Sequence, residues 1–171
     1  MLRKIDYNAP VSLSFALLSL LVLGLGWVTD GLTTRQLFCV YGSAWSDPLT
    51  YVRLFGHVLG HADLSHYMSN MMLLLLVGPM VEEFYGSGRL LIMCLVTAAA
   101  TGLVDMIFFP HTALLGASGI VFMMIILASM VSYQKGRIPL TFFFVAAMYL
   151  GQEIYNAVCT TDDISQLTHI I

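Results

Sequence analysis

Apolar residues run along this chain in long uninterrupted blocks, not in the alternation of a half-buried strand or the single stripe of a surface helix. The blocks cover about Val11 to Val28, Leu64 to Val81, Leu90 to Phe109, Leu115 to Tyr133 and Ile138 to Tyr155. A sixth begins near Ile164 and stops with the sequence at Ile171. Between them stand the breakers Gly86-Ser87-Gly88, Phe109-Pro110, Gln134 to Arg137 and Thr160 to Asp163. A helix needs about 20 apolar residues to cross a bilayer. The pattern therefore predicts an all-α polytopic membrane protein with an incomplete sixth span. Residues 1–171 read as one domain, since no repeat, low-complexity stretch or linker divides them. The first block lacks a small-x-small cleavage site before the next loop, so it reads as a retained span.

Composition agrees and settles the solvent. Hydrophobic residues make up 58% of the chain and charged residues 10%, where a soluble domain carries about 25% charged residues. So few charges cannot hydrate a surface, and lipid must cover most of it. A net charge of -3 with no basic run argues against nucleic acid. Of seven Lys and Arg, five (Arg3, Lys4, Arg89, Lys135 and Arg137) share one side if the N-terminus is cytoplasmic. Arg35 and Arg53 fall on the other, so the charge bias predicts a cytoplasmic N-terminus; the expected location of this multi-pass protein is the plasma membrane. The segment from Thr29 to Asp63 is too polar to span. Its mixture of Leu37, Phe38, Trp45, Tyr51 and Phe55 with Arg and Asp suits a structure lying in the interface. Asp63 or Ser65 should cap the helix that follows. Cys94 reads as packing, whereas Cys39 and Cys159 fall on the same side and could pair.

Polar groups inside an apolar bundle are costly and point to function. His57 and His61 are four apart, as are His66 and Asn70, so each pair would share a face of a helix. The first pair has zincin spacing but lacks the glutamate that follows the first histidine, and no acidic third ligand is placed to help. No metal or other cofactor is expected, and hydrogen bonds from His57 and His61 to loop backbone are the plainer reading. Gly116-Ala117-Ser118-Gly119 opens the fourth block. A membrane-helix serine is ordinarily a packing residue. Flanking glycines, however, allow close approach and leave the Ser118 amide at a helix start, where negative charge is favoured. A nucleophilic serine needs a base, and His169 in the sixth block supplies one; alone, it would read as structural. Ser118 and His169 then form a dyad, with the Ser118 amide and the His66 and Asn70 side chains holding the oxyanion.

Taken together, these motifs resemble the rhomboid intramembrane serine proteases. The resemblance runs from about Leu54 to the last residue: His57, His61, His66 and Asn70 entering the second span, Gly116 to Gly119, and Ser165 to His169. It implies a six-helix transmembrane bundle around a water-filled pocket, with Ser118 as nucleophile and His169 as base. It further implies His66 and Asn70 in the oxyanion hole, Phe122 as the ring beside the catalytic histidine, and Glu82 as a structural acid. The implied substrates are transmembrane proteins. Three departures stand out: Val52-Arg53 replaces the family's Trp-Arg pair, Phe122 has no hydroxyl, and the glycines after the base are missing from this chain. With His169 so near its end, the chain as it stands is expected to hold the base weakly. The rival reading is an inactive relative that binds membrane-protein clients; a transporter would show inverted repeats, and none is visible. Oligomeric state is left open.

Overall fold

The computed structural model describes residues 7–133 together with 140, 143, 144, 146–148 and 151. Three helices among them are long and apolar enough to cross a membrane: α1, Pro10–Val28, α4, Leu64–Tyr85, and α5, Ser87–Phe108. A fourth, α6, covers Ser118–Tyr133. Two short helices, α2 at Leu32–Leu37 and α3 at Pro48–Gly56, lie in the first loop. The few described residues of the fifth block that have an assignment are helical. The sixth block lies outside the described residues.

Apolar side chains face outward on every span: Leu21 is 63% exposed, Leu76 75% and Val96 62%. Polar ones turn inward, with Ser12, Ser19, Asn70 and Glu82 all buried. Lipid solvates the outer faces, so burial is reserved for close packing and for groups that need hydrogen bonds. Helix α4 is central, and Met71, Leu74 and Val81 on it meet Ile120, Val121 and Met124 of α6 in the main core. On its other flank, Gly78 admits the Ser12 side chain of α1, where a Cβ would stand 2.6 Å from Oγ.

The start of α1 depends on a distant residue. Ala9 offers no side-chain cap, and the free amides of Val11 and Ser12 instead donate to the Glu82 carboxylate of α4 at 2.8 and 2.9 Å. The Ser12 hydroxyl adds a third bond at 2.9 Å. This explains why α4 runs four residues past Val81, where the apolar block ends. Glu82 faces into the bundle as an acceptor, and the helix stops only at Gly86, whose φ of 84° is left-handed. The structural part that the family resemblance implies for Glu82 is met by these bonds.

The first loop is folded and anchored. Asp47 caps α3 by accepting from the Leu49 amide, with Pro48 in the first turn. Arg53 is buried, donating from Nε to the Gln36 carbonyl at 2.8 Å and pairing with Asp47 at 3.1 Å. Its guanidinium also stacks 4.7 Å above the Tyr41 ring. Arg53 thus ties the loop while its neighbour Val52 is exposed, so the missing tryptophan does not leave the loop unanchored. A two-residue antiparallel ladder then joins β1, Val40–Tyr41, to β2, Ala113–Leu114, just before α6. Cys39 is a free buried thiol rather than half of a disulfide, its pKa pushed up to about 12 mainly by burial; Cys159 lies outside the described residues.

Candidate active site

Ser118 is the first residue of α6 and is half-buried. The first bond of the helix runs from the Val121 amide to the Ala117 carbonyl at 2.9 Å. The amides of Ser118 to Ile120 therefore have no carbonyl a turn earlier to bond, and they concentrate positive potential at the helix start.

The turn that delivers Ser118 requires Gly116. Its φ is 126°, a left-handed value, and a Cβ there would meet His66 Nε2 at 2.8 Å and Cε1 at 2.9 Å. The His66 ring of α4 therefore lies directly against the backbone two residues before Ser118. The Gly116 amide is already committed, donating to the His57 carbonyl at 2.9 Å.

His57 is held in turn. A carbonyl only accepts, so His57 Nδ1 donates to Leu54 at 3.1 Å, and Nε2 accepts from the Thr101 hydroxyl of α5 at 3.2 Å. The Thr101 methyl group abuts α6, where a Cβ on Gly119 would stand 2.9 Å from it. A continuous path thus runs from the end of α3 through His57 and Thr101 to the two glycines around Ser118. Thr101 was legible in the sequence only as one of a run of small residues; its hydroxyl in an apolar span was the signal for this role.

His57 and His61 do not share a helix face, contrary to their four-residue spacing. His57–Leu59 is a 3-10 turn, and the chain then extends at Gly60, which lies so close to the Phe38 carbonyl that a Cβ would not fit. His61 Nδ1 donates to the Leu59 carbonyl at 3.2 Å, so both histidines bond loop backbone. The His61 ring packs edge-on to His66, with centroids 5.1 Å apart, and to Tyr67 at 5.5 Å. Burial lowers the pKa of both loop histidines. That of His61 falls to about 4, driven by burial and then by neighbouring His66. Both rings are neutral at pH 7.

His66 and Asn70 lie one turn apart on α4, as their spacing predicts. Asp63 caps that helix through the His66 backbone amide at 2.8 Å, and Asn70 Nδ2 donates to the His66 carbonyl at 3.0 Å. Phe122 follows Ser118 by one turn and is half-buried against the main core. His169 lies outside the described residues. Asp105, near the end of α5, is buried, and its Oδ1 accepts from the Thr112 hydroxyl at 3.3 Å.

The described residues therefore bring together a serine at a helix start, unbonded amides beside it, and the His66 imidazole of the adjoining helix, with Asn70 buried one turn further along that helix. This is a setting that tolerates a hydroxyl nucleophile and favours developing negative charge. Comparison with known proteins gives two findings. A family model described as a Rhomboid domain matches residues 48–171. A protein named Rhomboid protease GluP, from Bacillus subtilis (strain 168), is 28% identical over 111 residues, which are 63% of this chain. That similarity spans only 22% of the relative's length.

Proposed function

Because the chain belongs to the rhomboid family, we propose that it is a serine endopeptidase cutting membrane proteins in or near their transmembrane helices, with Ser118 as nucleophile and His169 as base. The observation that carries this reading is the packing of Gly116 against His66, which puts a potential oxyanion donor beside the turn leading to Ser118. Ser118 Oγ attacks the scissile carbonyl while His169 removes its proton. The resulting oxyanion is held by the Ser118 amide and by the side chains of His66 and Asn70. The tetrahedral species collapses, His169 returns the proton to the leaving amine, and an ester joins the acyl fragment to Ser118. Water, deprotonated by His169, then attacks the ester and frees the enzyme. Phe122 flanks the base. His57 and His61 are supports: they fix the Gly116 turn and the His66 ring and move no proton. On this reading residues 1–171 are one domain in the plasma membrane, with a cytoplasmic N-terminus and transmembrane proteins as substrates.

The test is cleavage of a transmembrane reporter by detergent-solubilised protein, beside labelling by a fluorophosphonate. We expect Ser118→Ala to abolish both. His66→Ala and Asn70→Ala should slow cleavage by about 100- to 1000-fold each, the usual loss for one oxyanion donor. Cleavage by the Ser118→Ala protein at the parent rate would refute the dyad. Binding of the reporter without cleavage by the parent chain would favour a client-binding relative.

A further inference from the structure

The polar groups that support the site continue one turn beyond Thr101. Asp105 follows it at helical spacing on α5 and is buried. It stands beside Met106, in the stretch of α5 that meets Val40 and Leu54 in a small apolar core. Its Oδ2 is closed off from solvent and has no hydrogen-bond partner among the described residues. No cation answers it either. Arg53 of α3 is engaged by Asp47, the Gln36 carbonyl and the Tyr41 ring. His57 uses both ring nitrogens on Leu54 and Thr101. The Cys39 thiol, within electrostatic reach of Asp105, is neutral, and His111 is exposed. On α4, His66 faces Gly116 and Glu82 faces α1.

The Thr112 hydroxyl bears on the charge of this acid. It has one proton and two neighbours able to accept it, the Phe109 carbonyl at 2.8 Å and Asp105 Oδ1 at 3.3 Å. The shorter bond holds the proton better. An ionised Asp105 must compete for it, and must also bury a second charged oxygen without a partner, which is costly. A protonated Asp105 removes both conflicts. Its O–H donates to Thr112 Oγ, Thr112 donates to Phe109, and Oδ2 remains as a neutral carbonyl oxygen.

Thr112 stands at the start of the strand that delivers the nucleophile. Ala113 and Leu114 follow, paired with Tyr41 and Val40, and the chain then reaches Gly116 and Ser118. The bond from the Gly116 amide to the His57 carbonyl fixes the far end of this strand. The contact between Asp105 and Thr112 fixes its near end.

We propose that Asp105 is a positioning residue that works as a neutral acid: its proton bonds Thr112 and holds the strand carrying Ser118, and loss of that proton releases the strand. The carboxylate so formed draws water to itself, the turn at residues 109–112 parts from α5, and the Gly116 turn shifts against His66. The effect on catalysis rests on the protease reading above; the protonation of Asp105 does not.

Asp105→Asn is a neutral mimic that can donate from Nδ2 at any pH, whereas Asp105→Ala removes the donor. Reporter cleavage by the full chain in detergent is followed between about pH 5 and 9, where an ordinary aspartate, with a pKa of about 3.9, is ionised throughout. We expect the parent to fall about tenfold relative to Asp105→Asn toward the alkaline end, as befits loss of one hydrogen bond. Asp105→Ala and Thr112→Val should lose about as much at every pH, and Asp105→Asn should not rescue Thr112→Val. Parallel pH profiles for the parent and Asp105→Asn would overturn the proposal, since a merely structural side chain weakens the enzyme equally at every pH. Infrared difference spectra of the parent against Asp105→Asn read the proton without any activity. A protonated-carboxyl band present at neutral pH and lost on raising the pH is the expected result, and its absence at neutral pH would also overturn the proposal. A parent chain that cuts the reporter at no pH would refute the protease reading, and the infrared band would then decide the state of Asp105 alone.

Discussion

At the scale of single residues, the turn into α6 depends on two absent side chains. Gly116 leaves room for the His66 ring and Gly119 leaves room for the Thr101 methyl group. Adding a methyl group at Gly119 should force Thr101 aside, at about 1–3 kcal/mol for overpacking, and slacken the bond from Thr101 to His57. Thr101→Ser removes the obstructing methyl and keeps the hydroxyl. We therefore expect Gly119→Ala to lower thermal stability and cleavage, and Gly119→Ala/Thr101→Ser to recover much of both; failure to recover would show that Thr101 does not set the position of Gly119. His61 makes a prediction about pH. Its pKa is lowered from 6.5 to about 4 in the fold, so the unfolded chain binds more protons between those values. Its contribution to stability is complete above about pH 6.5, is lost as pH falls toward 4, and changes no further below that. Melting temperatures of His61→Gln should vary less than those of the parent between pH 7 and 4.

At the scale of elements, helix ends follow two different rules. Those at Asp47 and Asp63 are capped by their own N-cap side chains, and Asp63 is one of the two caps, with Ser65, that the sequence offers for α4. The start of α1 is capped from 70 residues away, by Glu82, and no local pattern announces it. Glu82→Ala should leave the Val11 and Ser12 amides unpaired, at about 1–3 kcal/mol for each buried group. Glu82→Gln keeps one acceptor and should cost less. Thermal unfolding in detergent is the check, and equal losses in the two variants would mean that the carboxylate does not hold α1. The spacing of His57 and His61 misled because a spacing of four has meaning only on an α-helix, and here a 3-10 turn and an extended glycine intervene.

At the scale of the whole molecule, the chain is an integral membrane protein of the rhomboid family, and its orientation is testable. The bias of five Lys and Arg to two leads us to expect the N-terminus in the cytoplasm and residues 35–63 outside. Single cysteines at Ser43 and Gly136, in a chain freed of its own cysteines, should be labelled and protected, respectively, by an impermeant reagent added outside. The reverse pattern would invert the topology.

What the sequence determined by itself was whatever depends on neighbours along the chain. The apolar blocks specify lipid as solvent, Asp63 or Ser65 marks where α4 begins, and Gly116 to Gly119 specify a serine at a helix start. The tertiary structure alone decided which polar groups meet. Thr101 reaches His57 across 44 residues, Glu82 reaches Ser12 across 70, and the His57 carbonyl meets the Gly116 amide. The physical reason is that these helices are apolar on every side. Lipid accepts an outward leucine as readily as the core accepts an inward one, so periodicity carries little information about which face turns in. Only packing, by giving buried polar groups the partners they require, selects the faces that assemble the site.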